Sequence, residues 1–434
     1  MDPFITIAII IFVISFLTII FDLFPKALVT ILGALLMVIF HILSFEEAIS
    51  AIEFETIALL MGMMIIVDIV DSSGVFSWMS VKLAKFTGGK PWLIFLLFVS
   101  VIAFSSAFLD NVTTLLIVLP ILLALTKGIG LDSKAFVIAT IFFSIIGGTT
   151  TLIGDPTNVI IGTSAGLSFN DFISNLIVPI SLVSASMLLI LGALNWHSLR
   201  PIKGNLKQLF VSHLLIEKIE HQFGKQELTK SFVAKVLILL LLTILGFIFQ
   251  SFVGLPVSVI ALTGAMVLLL LTTKQASIYK SLAHVEWTTL FFFMGLFIMV
   301  AALEKVGVLS ILGETFIGLT DDYLTLLLLL LWTAGFASML IDNVPFVTMM
   351  IPIVLQIQTS LPADVDGQLL WWALALGACL GGTGSPIGSS ANVIALGIAR
   401  KNGIEISSFE YVKKAFPLTI IMLMICSLYF VVLI

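Results

Sequence analysis

The chain has 434 residues, 60% of them hydrophobic and 10% charged, with a mean hydropathy of +1.23. Ordinary soluble domains are nearer half apolar and a quarter charged, so these figures exclude one. A net charge of −5 leaves no basic surface for nucleic acid. The apolar runs approach the ~20 residues that a helix needs to cross the hydrocarbon, and they are continuous in Leu, Ile and Phe instead of alternating. Lipid offers an open backbone no hydrogen bonds, so the runs read as helices and not as barrel strands. The expected fold class is an all-α polytopic membrane protein.

In chain order, spans are expected at 4–21, 27–43, 56–72, 135–165 and 173–195, then at 233–250, 255–273, 287–303, 369–399 and 415–434, ten in all. The first follows Met1-Asp2-Pro3 with no basic n-region and no small-residue cleavage site after it, so it reads as a retained span and not a signal peptide. Two further apolar segments, about 92–126 and 323–360, are interrupted near their middles by Asp110-Asn111 and Asp342-Asn343. Each arm is a little short for a full crossing. Re-entrant hairpins with the polar pair at the tip are expected, with two short full spans as the alternative.

Laid on this scheme, 19 of the 20 Lys and Arg fall on one face and only Lys305 on the other. Cytoplasmic loops collect basic residues, which places the hydrophilic loop in the cytoplasm and both termini outside a cytoplasmic membrane. The two halves also repeat at an offset of 231 to 234 residues: Gly33 with Gly264, Glu53 with Glu286, Gly62 with Gly295, Asp110-Asn111 with Asp342-Asn343, Pro120 with Pro352, and Gly154 and Asn158 with Gly388 and Asn392. Residues 1–195 form a first membrane repeat, 196–231 a linker loop and 232–434 a second repeat. Five spans and a hairpin make an odd number of crossings, so the second repeat inserts upside down. Inverted halves meeting at polar midplane breaks are the usual plan of a secondary transporter.

The chemistry-bearing residues lie at those breaks. Gly clusters with Pro156 or Pro386 inside apolar runs of about 30 residues unwind a helix, because Pro lacks the amide donor and Gly loses most entropy on ordering. Unwound backbone frees carbonyls for a cation, while each new half-helix N-terminus favours an anion or a polar solute. Asp110, Asp155 and Asp342 sit there with no Lys or Arg close in sequence, although a charge at membrane depth costs roughly 2.5 to 3.5 kcal/mol. Two readings coexist: each Asp caps a half-helix, or each takes up a proton or small cation. Asp155 is the asymmetric member, matched by Ser389 in the other half, and is the candidate for setting the coupling. The candidate site is Asp110, Asn111, Thr113, Asp155, Thr157, Asn158, Asp342, Asn343, Ser389 and Asn392.

Other signals are weaker. Asp68, Asp71 and Glu304 fall at span ends and read as interfacial. His197, His213 and His221 lie in the loop without metal spacing, and Cys379 and Cys426 read as packed thiols. Gly377 and Gly381 form a GxxxG, which usually means close helix packing. No P-loop is present, so primary active transport by this chain alone is not expected. Neither an enzyme nor a cofactor beyond a bound proton or Na⁺ is expected.

At Leu109-Asp110-Asn111-Val112-Thr113-Thr114, Gly154-Asp155-Pro156-Thr157-Asn158-Val159-Ile160-Ile161, Asp342-Asn343-Val344-Pro345-Phe346 and Ser390-Ala391-Asn392-Val393, the chain resembles the ion transporter superfamily. Within it the resemblance is to the branch of arsenite-efflux (ArsB), sodium/proton antiporter (NhaD) and melanosomal P protein families, CitMHS-like permeases, and it covers the whole chain. It implies a transport site made of hairpin tips and broken spans, carried on a mobile core beside a scaffold that often forms a homodimer. Related sodium-coupled dicarboxylate transporters have Ser-Asn-Thr at such tips, where this chain has Asp110 and Asp342. The extra negative charge disfavours an anion. The leading expectation is proton-coupled export of a small inorganic solute such as arsenite or antimonite, with Asp110, Asp155 and Asp342 carrying protons. A sodium/proton antiporter is the close alternative. Sodium-coupled carboxylate uptake and an ion channel are further ones.

Overall fold

A computed structural model describes residues 3–199 and 230–434, apart from 22, 89, 274–277, 321 and 363–364. The expectations for the loop, including those for Arg200, Lys203, His213 and His221, lie outside the described residues, as does Lys274.

Twenty helices longer than one turn carry the described chain. Those before the loop are α1 (Pro3–Ile20), α2 (Lys26–Ile39), α3 (Phe45–Ser50), α4 (Phe54–Ser72), α5 (Val75–Thr87), α6 (Pro91–Ser106), α7 (Asn111–Ile129), α8 (Ser133–Thr149), α9 (Pro156–Ala165) and α10 (Phe169–Leu194). Those after it are α11 (Lys230–Ile248), α12 (Val257–Thr272), α13 (Ile278–His284), α14 (Trp287–Lys305), α15 (Val308–Ile317), α16 (Tyr323–Leu340), α17 (Asn343–Ser360), α18 (Leu369–Gly381), α19 (Ser390–Lys401) and α20 (Ser408–Leu433). Among the described residues, seven helices are long and apolar enough to cross a bilayer, and several shorter apolar ones accompany them. The protein is an all-helical, multi-pass membrane protein. Its lipid-facing character shows on α2, where Leu28, Leu32, Leu35 and Ile39 are exposed at helical spacing along one side.

The short helices α3, α5, α13 and α15 are absent from the span pattern. They connect spans, and Gly74 and Gly307, both at positive φ, turn the chain into α5 and α15. Of the arms of the two interrupted segments, α7 runs past the expected end at 126 to Ile129, and α7 and α16 both have the length and composition of a crossing helix. The segments 150–155 and 385–389 are not helical, so α8 with α9, and α18 with α19, are broken pairs. Both breaks fall where Gly and Pro cluster.

Small residues set the helix contacts, as they do where lipid removes the hydrophobic drive for helices to associate. Gly62 of α4 lies against the backbone at Ala261 and Leu262 of α12, and Gly295 of α14 against the backbone at Thr30 and Ile31 of α2. Each half thus lends one helix to the other half's partner. Gly147 of α8 meets Ala103 of α6 backbone to backbone, and Gly381 of α18 meets Gly335 of α16 in the same way, with Gly377 one turn earlier against Leu331. Two helix groups result, the cross-packed α2, α4, α12 and α14, and the broken pairs with α6, α7, α16 and α17. α7 also packs on α19, and α17 on α9.

Candidate functional site

A cavity of about 600 Å³ lies between these two groups. Its apolar walls come from α4, with Leu60, Met63 and Val67, and from α14, with Phe292 and Phe293. Its mouth is marked by exposed side chains, Lys26 at 38% and His284 at 65%. At depth stands Asp155, 3% exposed.

Asp155 caps α9, accepting from the backbone N–H of Thr157 at 2.9 Å, which satisfies a donor that the break leaves open. Its other oxygen accepts from Nδ2 of Asn111 at 2.8 Å, and Nδ2 of Asn343 reaches the capping oxygen at 3.4 Å. The two Asn side chains belong to the tips of different interrupted segments, so both halves converge on one carboxylate. Asn111 is fixed in turn by Ser106, whose Oγ donates to Asn111 Oδ1 at 2.5 Å. Gly148 leaves room for that amide, since a Cβ there would collide with Asn111 Oδ1.

The other two carboxylates cap as well. Asp110 accepts from the Thr113 N–H at 2.8 Å and from Thr113 Oγ1 at 2.5 Å. Asp342 accepts from the Val344 N–H at 3.3 Å and from Nζ of Lys26 at 2.7 Å. Ser389, at the place of Asp155 in the second half, receives among the described residues only the Ala391 N–H at 3.4 Å.

Of the ten candidate residues, Asp110, Asn111, Thr113, Asp155, Asp342, Asn343 and Ser389 line the cavity, and Thr157, Asn158 and Asn392 lie outside its lining. The last two Asn brace the breaks. Nδ2 of Asn158 donates to the carbonyls of Thr149 and Thr151 at 3.0 and 2.9 Å, and Nδ2 of Asn392 to those of Gly382 and Ser385, both at 2.7 Å. Some of the carbonyls that unwinding frees are therefore already engaged by protein amides. Cys379 is buried and unpaired with any thiol, and its Sγ approaches Asn158 Oδ1 at 3.5 Å. Cys426 is buried elsewhere.

A family model described as "Citrate transporter", CitMHS, matches residues 16–377. The chain belongs to the CitMHS family. It is 36% identical to a 46 kDa membrane protein of Mycobacterium leprae over 98% of this chain and 97% of that one. It is equally 36% identical, over the same shares, to an uncharacterized transporter of Mycobacterium tuberculosis. It is 31% identical to the human P protein over 93% of this chain, and spans 57% of that protein's length. In structure it is similar to the Alcanivorax borkumensis YdaH transporter, with a TM-score of 0.57, 15% identity and coverage of 86% of this chain and 84% of that one, a likeness of fold. The protein is a secondary transporter of the CitMHS family and not an enzyme.

This CitMHS site holds residues that sequence reading missed. Lys26 reaches Asp342 across 316 positions of chain, so no local pattern could pair them. Asp68 and Asp71 line the cavity, Asp68 meeting Nδ1 of His284 at 2.7 Å, and Glu286 lines it as well. The match of Glu53 with Glu286 in the repeat pointed to that position without showing where it would sit. Glu304 lies apart, in a small recess with Glu47 and Lys305.

Proposed function

We propose that this CitMHS-family transporter couples the inward movement of protons to export of a small inorganic solute, with arsenite and antimonite the class to test first. One observation carries the reading: among the described residues, the carboxylate at the cavity floor, Asp155, is held by neutral donors alone, two Asn amides and one backbone N–H. A carboxylate so placed has no fixed cation to balance it, and exchanges a proton or small cation instead. Asp110 and Asp342 are the further carriers, and Asn111, Asn343, Thr113 and Ser389 supply polar contacts to the solute.

The charge of the cavity argues against carboxylate uptake. Asp68, Asp71, Asp110, Asp155, Glu286 and Asp342 face Lys26 and His284, with no Arg in the lining among the described residues. A di- or tricarboxylate entering would meet like charge without the bidentate donors that usually hold it. Arsenous acid, neutral at cytoplasmic pH, meets no such barrier. The same acidic mouth favours a second reading, sodium/proton antiport at the same carboxylates.

The topological frame proposed with this function is an inverted repeat, 1–195 and 232–434, with the tips of α6–α7 and α16–α17 re-entering to midplane. The cavity mouth, formed by the start of α2 and the end of α4, then faces the cytoplasm, together with the loop, and both termini lie outside. The broken-pair group moves against the cross-packed one, in a homodimer.

Proteoliposomes under an imposed pH gradient test the function. Arsenite or antimonite should move faster than in empty vesicles and collapse the gradient as it does so. Gradient-dependent succinate or citrate movement with neither arsenite nor sodium flux would overturn the reading; sodium-dependent proton release alone would select the second.

A further inference from the structure

The ion pair between Lys26 and Asp342 joins the two helix groups. Lys26 is the first residue of α2, which the close contact at Gly295 holds to α14, so its position is fixed by the cross-packed group. Asp342 caps α17 at the tip of the second interrupted segment. The pair measures 2.7 Å, with Asp342 16% exposed. A cation at the first position of a helix opposes the helix dipole, so local structure gives Lys26 no reason to be there, and Asp342 gives one. The equivalent position of the second half is Val257, and among the described residues Asp110 is held by Thr113 and by no Lys or Arg.

We infer that Lys26 is a tethered counter-cation, which occupies Asp342 while the cavity is empty and must be displaced by the coupling ion before the tip can leave the cross-packed group. The inference rests on the proposed exchange of a proton or small cation at these carboxylates. An incoming proton or Na⁺ neutralises Asp342 in place of Lys26, and the released ammonium turns to the open mouth. Without cargo the pair holds the two groups together, so the empty carrier stays put and exchange is coupled, not leaky. Lys26 is thus a specificity-determining residue: an ion must outcompete a primary ammonium to be carried. The other charged groups facing Asp342 are Asp155 before α9, Asp110 before α7, Asp68 and Asp71 on α4, His284 on α13 and Glu286 on α14. All the carboxylates among them add to the pull on a cation. Only Lys26 is placed to oppose it directly.

Two measurements on the full-length protein test this. In proteoliposomes, Lys26→Gln removes the competitor, so the half-saturating concentration of the coupling ion should fall roughly tenfold, the worth of one charge-assisted hydrogen bond, and flux without exchange should appear. Lys26→Arg should keep coupling, and on an Asp342→Asn background Lys26→Gln should change nothing further. Equal ion affinity and equal leak in wild type and Lys26→Gln would overturn the inference. In detergent, acylation of Lys26 by an amine reagent, read by peptide mass, should be several-fold slower in wild type than in Asp342→Asn. Equal labelling would overturn it independently of any transport. If wild-type vesicles move none of the tested solutes, the proposed function fails while the labelling still decides the role of Lys26.

Discussion

The two breaks are built alike and charged differently. In both, an Asn three residues after the cap position, Asn158 or Asn392, spans two carbonyls with one amide, so the unwound backbone is held by the same device. At the cap itself the first half places Asp155 and the second Ser389. The amide oxygens differ too: Asn158 Oδ1 receives the Cys379 thiol, and Asn392 Oδ1 is buried without a partner among the described residues. The carboxylates at the two tips are unequal in turn, Asp110 holding Thr113 and Asp342 holding Lys26. Under the proposed function, shared geometry with unshared charge means that the framework uses both copies and the coupling one.

The sharpest way to break this comparison is Asp155→Asn. Asn caps a helix about as well as Asp, so the fold should persist with thermal stability shifted by less than about 1 kcal/mol. Solute flux driven by a pH gradient should nonetheless drop to that of empty vesicles. Gradient-driven flux that survives in this variant would remove Asp155 from the coupling.

The reverse change, Ser389→Asp, makes the second break resemble the first. Ser389 is 6% exposed and receives one long hydrogen bond, so a carboxylate there lacks the amide pair that Asp155 enjoys. A destabilisation of about 3 kcal/mol is expected in thermal unfolding, the cost of an unsupported charge at membrane depth. In vesicles that still assemble, more protons should move per solute. An unchanged ratio would mean that number of carboxylates and stoichiometry are unrelated.

The packing of the breaks can be separated in the same way. A Cβ on Gly148 strikes the Asn111 amide that Asp155 depends on, while on the matching Gly382 it meets the Gly388 carbonyl at 2.9 Å and Ser338 Oγ at 3.4 Å. Gly148→Ala should therefore cost about 1 to 3 kcal/mol, as overpacking does, and impair transport, with Gly382→Ala milder on both counts. Gly397→Ala, where nothing lies within 4 Å, is the control and should be neutral or slightly stabilising. Equal loss at 148 and 382 would argue that both breaks support the carboxylate alike.

These contrasts divide along what a sequence can carry. The spans follow from composition, and the breaks from Gly and Pro clusters whose conformational limits are local. The alignment of Asp155 with Ser389 exposed the asymmetry of the caps directly. Convergence did not show: that Asn111 and Asn343 share one carboxylate, and that Lys26 meets Asp342, depends on helix packing between halves. Asn158 and Asn392 were legible as polar residues at the breaks, but their use as braces depended on where carbonyls point. The connecting helices α3, α5, α13 and α15 escaped notice because they are short or moderately polar, with no signal at membrane length.

The smallest effect is expected at those connectors. Near the end of α14, away from the cavity, Lys305 donates to both oxygens of Glu47 on α3, at 2.7 and 2.6 Å. Together with the Ser44 backbone this draws the Glu47 carboxyl down to about 2. A carboxyl lowered on folding contributes stability that is present above its ordinary value of 4.5 and lost as pH falls through about 2. The pair should therefore be indifferent to pH from neutrality down to the ordinary carboxylate range, in a way independent of the cavity. Both partners are nearly half exposed, so salt screens the attraction and the contribution is small. Lys305→Gln should return the Glu47 carboxyl toward the usual range, read by carboxyl-labelled NMR, with little change in unfolding temperature and none in ion affinity. A loss of gradient-driven flux in Lys305→Gln would instead tie this connector to the exchange, and would place a second functional pair on the half of the molecule that the cavity does not reach.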